Sequence, residues 1–284
     1  MSIHSYHNSH RTERTFYKMG RNGQLKAVAN PGAAMFIGVE LEVESPRIDP
    51  EELSDKVDAL MGSTATCERD GSLTEGFEII SQPITPAAYC DGFKLDELCR
   101  LLDSNGAKSH DTRTCGLHVH VSRAALGASE QARDMVCAKI LVLMDKFTDE
   151  LTKFARRDWV NGRWAPKYRN FNADGEQSTK KLLEKYKPCK DSGDRYKALN
   201  LTNEATIEFR IFRGTLNPAA LKATVLLCAT MVEFCKTHTT PQVQACTWGD
   251  LLGSCSRPEL NEYVTKRGII ARDDVSELER LLGF

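Results

Sequence analysis

The stretch Phe36–Glu44, FIGVELEVE, alternates so that a strand there presents Glu40, Glu42 and Glu44 on one face. Carboxylates that close repel one another across a sheet unless something positive lies between them. Three further stretches carry the same unusual face. FEIIS sets Glu78 opposite Phe77 and Ile79, and LHVHVS sets His118, His120 and Ser122 opposite Leu117, Val119 and Val121. TIEFRIF sets Glu208 and Arg210 opposite Ile207, Phe209 and Ile211, and alternation adds Gly38, Ile80 and Phe212 to the polar side. A solvated face of an amphipathic antiparallel sheet usually mixes in Lys, Thr, Ser and Gln, whereas this one has no lysine. Carboxylates and imidazoles with a single guanidinium among them suit divalent cations.

A zinc hydrolase centre needs three His, Glu or Cys ligands and an open position. Four or more carboxylates make a harder site, suited to Mg²⁺ or Mn²⁺ bridging phosphate oxygens. Arg210, two residues from Glu208 on the same face, could neutralise a phosphoryl group in transfer. Neither GxxxxGK[ST] nor GxGxxG occurs, so a nucleotide would have to bind to the sheet face through metals. The same side chains would also serve a metal-dependent hydrolase or phosphohydrolase. A non-enzymatic, metal-stabilised protein that binds peptide or nucleic acid is the third possibility.

These residues need a scaffold. The pattern predicts an α+β fold, with a mainly antiparallel sheet and helices packed on one face. Strands are expected at Phe36–Glu44, Phe77–Pro83 and Cys115–Ser122, and again in YKALNLT and ATIEFRIFRGTL. Asp49 caps a helix with Pro50 at its first position, and DGFKLDELCRLLDSNG is a second helix closed by Gly106. Ser129–Arg156 has the periodicity of the longest helix, and Asn217 caps another that runs from Pro218 to about Lys236. The tail Thr247–Phe284 reads as short helices. Asn22-Gly23 between two short runs predicts a hairpin arm. Residues 1–13, with His4, His7 and His10 at spacing three, read as a frayed tail in preference to a metal site. Residues 1–35 are thus tail and arm, and 36–284 a single domain with a loop excursion at about 157–195.

At 284 residues, 41% of them hydrophobic and 27% charged, the chain can bury a sizeable core. A net charge of −1 gives no overall attraction to nucleic acid or to an anionic membrane. The 10 cysteines are scattered without a CxxC pair, which disfavours a structural zinc and suits reduced thiols in apolar surroundings. No signal-peptide core opens the sequence, and no window is expected to approach the ~20 apolar residues of a membrane span. The setting read from this is reducing and cytoplasmic.

Taken in order, GVELE, DGSLTEGFEIISQP, CGLHVHVS, YKALN and TIEFRIFRGTL resemble the putative amidoligase family. That family belongs to the carboxylate–amine ligase superfamily of glutamine synthetase and glutamate–cysteine ligase. Each motif alone is weak, but their order from about Gly38 to Leu216 is specific. The resemblance implies a curved, glutamine synthetase-like sheet with the active site on the face away from the helices. It implies ATP and Mg²⁺ (or Mn²⁺), and an acyl phosphate that an amine converts to an amide. By the same resemblance Glu40, Glu42, Glu78, His118 and Glu208 are metal ligands, and His120 and Arg210 contact the nucleotide. Glu78 faces the incoming amine, while Glu208 and Arg210 act at the transferring phosphoryl. Asp70, Ser72 and Asn200 lie in the same motifs. The chain lacks the separate N-terminal domain of glutamine synthetase and most of its substrate loops. The resemblance therefore implies small-molecule or peptide carboxylates and amines as partners, without naming them or an oligomeric state.

The stretch KFARRDWVNGRWAPKYRNF interleaves basic and aromatic residues. The favoured reading is a wall of the ATP and substrate pocket, with Arg163, Lys167 or Arg169 on phosphate or carboxylate and Arg169 as the nucleotide contact. The alternative is single-stranded nucleic acid stacked on Trp159, Trp164 and Tyr168.

Overall fold

A computed structural model describes residues 3–4, 14–160, 165–168, 171 and 178–269. Its strands are β1 (Ile3–His4), β2 (Phe16–Met19), β3 (Leu25–Val28), β4 (Ile37–Glu44), β5 (Ala65–Glu68), β6 (Gly76–Ser81), β7 (Gly116–Ser122), β8 (Leu199–Asn200) and β9 (Thr206–Arg213). Its helices are α1 (Pro50–Met61), α2 (Pro86–Asp91), α3 (Leu95–Ser104), α4 (Glu130–Lys146), α5 (Thr148–Ala155), α6 (Thr179–Asp191), α7 (Pro218–Thr237), α8 (Thr240–Ala245), α9 (Trp248–Gly253) and α10 (Pro258–Lys266). Seven strands form one sheet in the order β1-β5-β6-β4-β7-β9-β8, antiparallel except for the β1–β5 edge, and β2–β3 form the hairpin. The class is α+β with a large, mostly antiparallel sheet, as the alternation predicts.

The apolar half of each alternation makes the core. Val39, Leu41, Val43, Ile79, Val119, Val121, Ile207 and Phe209 are all buried, with α1 against β5 and β6, α7 against β7 and α5 against β9. The polar half lines up across strands distant in sequence. Gly38, His120, Glu208 and Asn200 stand abreast on β4, β7, β9 and β8. Glu42, Glu78 and Glu68 do the same on β4, β6 and β5.

One position breaks the alternation. The register between β7 and β9 slips between Leu117 and Val119, so Phe212 pairs with Leu117 instead of continuing the polar face. It is buried, edge-on to Phe154 at 6.2 Å between ring centroids. An extra residue in one strand reverses the phase of everything beyond it, which simple alternation cannot anticipate.

Other expectations are corrected too. The stretch 129–156 is two helices rather than one. Thr148 turns its hydroxyl back onto the carbonyls of Met144 and Asp145, and the Phe147 ring between the helices packs on Trp248 at 5.3 Å. The longest helix among the described residues is instead α7, with 20 residues. By length and composition α7 could cross a membrane, contrary to expectation, yet 72% of its most apolar window is buried within the protein. Lys139, itself buried, donates its ammonium to the carbonyls of Cys235 and His238 at the end of α7. Ile3 and His4 pair in parallel with Cys67 and Glu68 rather than fraying, while His7 and His10 lie outside the described residues. β5, α2 and the helix α6 within the 157–195 excursion have no counterpart in the expectation.

Candidate active site

The pleat projects the polar set into a cavity of about 620 Å³. Glu40, Glu42, Glu78, His118, His120, Glu208 and Arg210 all line it, joined by Asp70, Ser72 and Asn200. Within it, ligand atoms of Glu40, His120 and Glu208 lie within 4.8 Å of one another, and so do those of Glu42, Asp70 and Glu78. His118 stands between these two groups. Its Nδ1 is 3.4 Å from Glu40 Oε2 and 3.5 Å from Glu208 Oε1, and its Nε2 is 3.9 Å from Glu42 Oε1.

Each side chain is held by its neighbours. Asn200 Nδ2 donates to Glu208 Oε2 at 2.7 Å, and Asn203 Nδ2 to the same oxygen at 3.3 Å. The Thr202 amide and hydroxyl donate to Asn200 Oδ1, which fixes the orientation of that amide. Arg210 Nη1 ion-pairs with the other oxygen of Glu208. The Gly116 amide donates to Glu42 Oε2. Asp70 arrives on the turn between β5 and β6, where its Oδ1 accepts from the Ser72 amide.

The ionisation states follow from burial and neighbours. Burial alone would raise the carboxyl of Glu40, but His120 and His118 outweigh it and hold it well below the usual range. Burial likewise works against ionisation of Glu208, and His120, His118 and Arg210 bring it below its ordinary value. Glu42 goes the other way, since burial raises it more than His118 and the Gly116 amide lower it. Burial would lower His120, and Glu40 and Glu208 raise it.

His120 tests whether this donor set fits a cation. Its Nδ1 is 3.1 Å from Thr206 Oγ1, leaving Nε2 for the cavity. That buried Nε2 lies 3.1 Å from Glu40 Oε1 and 3.9 Å from Glu208 Oε1. A ring nitrogen and two carboxylates that converge within 4.8 Å of one another form a donor set that a divalent cation would take. The residues fit a divalent ion.

Some expectations did not reach the cavity. Glu44, on the same strand face as Glu40 and Glu42, accepts instead from the amides of Thr74 (3.1 Å) and Glu75 (2.8 Å) and from Thr114 Oγ1 (2.9 Å). Lys167 pairs with Asp145 at 3.0 Å, away from the cavity, and Trp159 is buried in the core, so neither can meet a phosphate or a base. Arg163, Trp164 and Arg169 lie outside the described residues. Among the described residues, Arg157 brings that same stretch to the cavity, and Arg195, Tyr196 and Thr114 line it as well. Arg157 sits in the run of basic and aromatic residues read as a pocket wall, but its type alone could not single it out from Arg163, Lys167 and Arg169. Burial lowers its guanidinium below the ordinary value, with Glu42 opposing.

A family model described as "Putative amidoligase enzyme" matches residues 51–232. Glu78, His118, His120, Glu208 and Arg210 fall inside that span, and Glu40 and Glu42 precede it. No curated protein matches the sequence. Among solved structures, apo GmaS without ligand is 12% identical at a TM-score of 0.43, covering 88% of this chain and 70% of its own. The ligase PafA, in complex with the prokaryotic ubiquitin-like protein Pup, is 9% identical at a TM-score of 0.34, covering 83% of this chain and 58% of its own. Likenesses this distant carry no argument about chemistry.

Proposed function

The chain belongs to the putative amidoligase enzyme family, and from that premise we propose that it is an ATP- and Mg²⁺-dependent ligase that joins a carboxylate to an amine through an acyl phosphate. The observation that carries this reading is the pair of ligand groups on one sheet face, Glu40/His120/Glu208 and Glu42/Asp70/Glu78, with Arg210 beside the first. We assign residues 36–284 to one glutamine synthetase-like catalytic domain with helices behind the sheet and the site in front. Residues 1–35 are an arm, 157–195 an excursion, and the cytoplasm the setting. Small-molecule or peptide acids and amines are the substrates that this chemistry asks for.

Divalent ions held by these groups would offset the carboxylate charge and polarise phosphate oxygens. His118, placed between the groups, would be shared by them. Arg210, held in line by Glu208, would stabilise the phosphoryl group as it leaves ADP for the carboxylate oxygen of the acid. His120 and Arg169 would contact the nucleotide phosphates. Glu78 would bind the amine as an ammonium and take its proton, because only the neutral amine has a lone pair to attack the acyl carbon. Attack forms the C–N bond, breaks the C–O bond to phosphate, and leaves amide, ADP, phosphate and a proton.

The test is ADP release across a panel of acids and amines, with Glu208→Gln as control. Removing one ligand charge and the partner of Arg210 should cut turnover by at least ~100-fold. Equal release from the wild type and the variant would sink the mechanism. Metal-dependent turnover without ADP release would point to a hydrolase instead.

A further inference from the structure

Between Arg14 and Val39 the chain carries four cationic side chains and no acidic one, although its net charge is −1. Three of the four, Lys18, Arg21 and Lys26, lie on the β2–β3 arm and are exposed. Among the described residues their side chains form no ion pair or hydrogen bond. Register sets Lys18 directly opposite Lys26, and like charges so placed cost stability. An edge lysine such as Lys26 is a common guard against stray strand pairing. Lys18 guards no edge, since β2 is bonded to β3 on one side and to residues 83–85 on the other.

The two faces of the arm differ. Tyr17, Met19 and Leu25 turn inward. The Tyr17 hydroxyl is 3.0 Å from Ser63 Oγ, and Met19 and Leu25 close over Gly92 at the end of α2, where a Cβ would meet them at 3.0 and 3.1 Å. Phe16, Lys18, Lys26 and Val28 alternate to the outer face. At its base Phe16 stands edge-on to Phe36, with 5.0 Å between ring centroids, and Arg14 is near enough to His120 for its charge to bear on the ring. The outer face therefore begins near the His120 end of the cavity and runs out to the turn at Arg21.

The arm also has one open edge. The Tyr17 amide donates to the Pro83 carbonyl at 2.8 Å, and the Tyr17 carbonyl accepts from the Thr85 amide at 3.0 Å. Tyr17 and Ala27 therefore form a non-hydrogen-bonded pair, and by the same alternation so do Met19 and Leu25. The amides and carbonyls of Leu25 and Ala27 point away from β2, to a side where no strand pairs among the described residues. A strand added there would gain main-chain hydrogen bonds and lie beside Lys26. Anionic side chains on its outer face would meet Lys26 and, one strand further, Lys18. Small apolar side chains on its inner face would lie beside Leu25 and Ala27.

We propose that this arm docks an extended acidic polypeptide, which adds a strand to β3 with its acidic residues alternating toward Lys18 and Lys26. Nucleic acid fits less well: phosphates have no use for an open strand edge, and four cations make a short track in a chain of net charge −1. The docking does not rest on the ligase reading, since it needs neither nucleotide nor metal.

Fluorescence anisotropy of a labelled hexapeptide of alternating glutamate and valine tests this. The proteins are wild type, the double variant Lys18→Gln/Lys26→Gln and Ala27→Pro, each checked for an unchanged melting transition. Proline suits the outward-facing amide of an edge strand, so Ala27→Pro removes the edge donor and keeps the charges. Wild type should bind the peptide, more weakly as salt rises, and prefer it to the glutamine–valine counterpart and to a single-stranded DNA of equal charge. The double variant should weaken binding roughly 5- to 30-fold, the loss of two exposed ion pairs. Ala27→Pro should weaken it too, as should N-methylation of alternate peptide amides, because each removes main-chain hydrogen bonds. A wild type that binds no acidic peptide, or that binds the DNA more tightly, would overturn the proposal. So would equal affinity for the N-methylated peptide, which would reduce the arm to a charged patch. Self-association that Ala27→Pro abolishes would put a second copy on the edge instead, and would overturn it as well.

Discussion

Glu44 differs from its neighbours Glu40 and Glu42 only in what surrounds it. All three sit on the same strand face, yet the first two enter the cavity while Glu44 takes up the amides of Thr74 and Glu75 and the hydroxyl of Thr114. It therefore ties β4 to the turn that delivers Asp70 and to the segment that leads into β7. Glu44→Ala should cost about 1–3 kcal/mol in denaturant unfolding, since two backbone donors lose their acceptor. Glu44→Gln, which keeps one acceptor oxygen, should cost less. Hydrogen exchange at the Thr74 and Glu75 amides gives a direct check: unchanged protection in Glu44→Ala would show that the turn is held by something else. Alternation put Glu44 on the same face as Glu40 and Glu42, and only its partners show what it does there.

Among the elements, the helix starts were the most legible. Asp49 accepts from the Glu51 amide at 2.8 Å and Asn217 from the Ala220 amide at 3.0 Å, each just before a proline that opens the helix. Contacts between elements were not legible, and Arg257 is an instance. At the start of α10 it forms a two-pronged contact with Asp91 at the end of α2 (2.8 and 2.6 Å) and also pairs with Glu259. The hydrogen bonds from Arg257 hold both carboxyls below their ordinary values. Because the folded values are depressed, the contribution to stability is present above the ordinary carboxylate range and is lost as pH falls through it. Arg257→Ala should lower stability by up to about 1 kcal/mol at neutral pH, discounted for exposure, and the gap to wild type should close by about pH 3. A gap of the same size in urea titrations at both pH values would mean that packing, not charge, is lost.

For the whole molecule, the consequence of crowding carboxylates into one cavity is coupling between ligand and fold. Mg²⁺ with ATP should raise the melting temperature by a few degrees at saturating concentration, because a ligand that binds only the folded state stabilises it by mass action. Chelation should reverse the rise, and a melting curve indifferent to both would count against the site. By itself the sequence determined the class of chemistry and the main strands that carry it. A period of two is a local property, so it fixes which residues share a face wherever the strand lies. What only the tertiary structure decided is how those faces meet. Cross-strand register set Glu40 beside His118 and His120 beside Glu208, and a slip in that register turned Phe212 into the core. A turn brought in Asp70, and a left-handed residue brought in Arg157. Register, slips and turns depend on partners far along the chain, and no local periodicity encodes them.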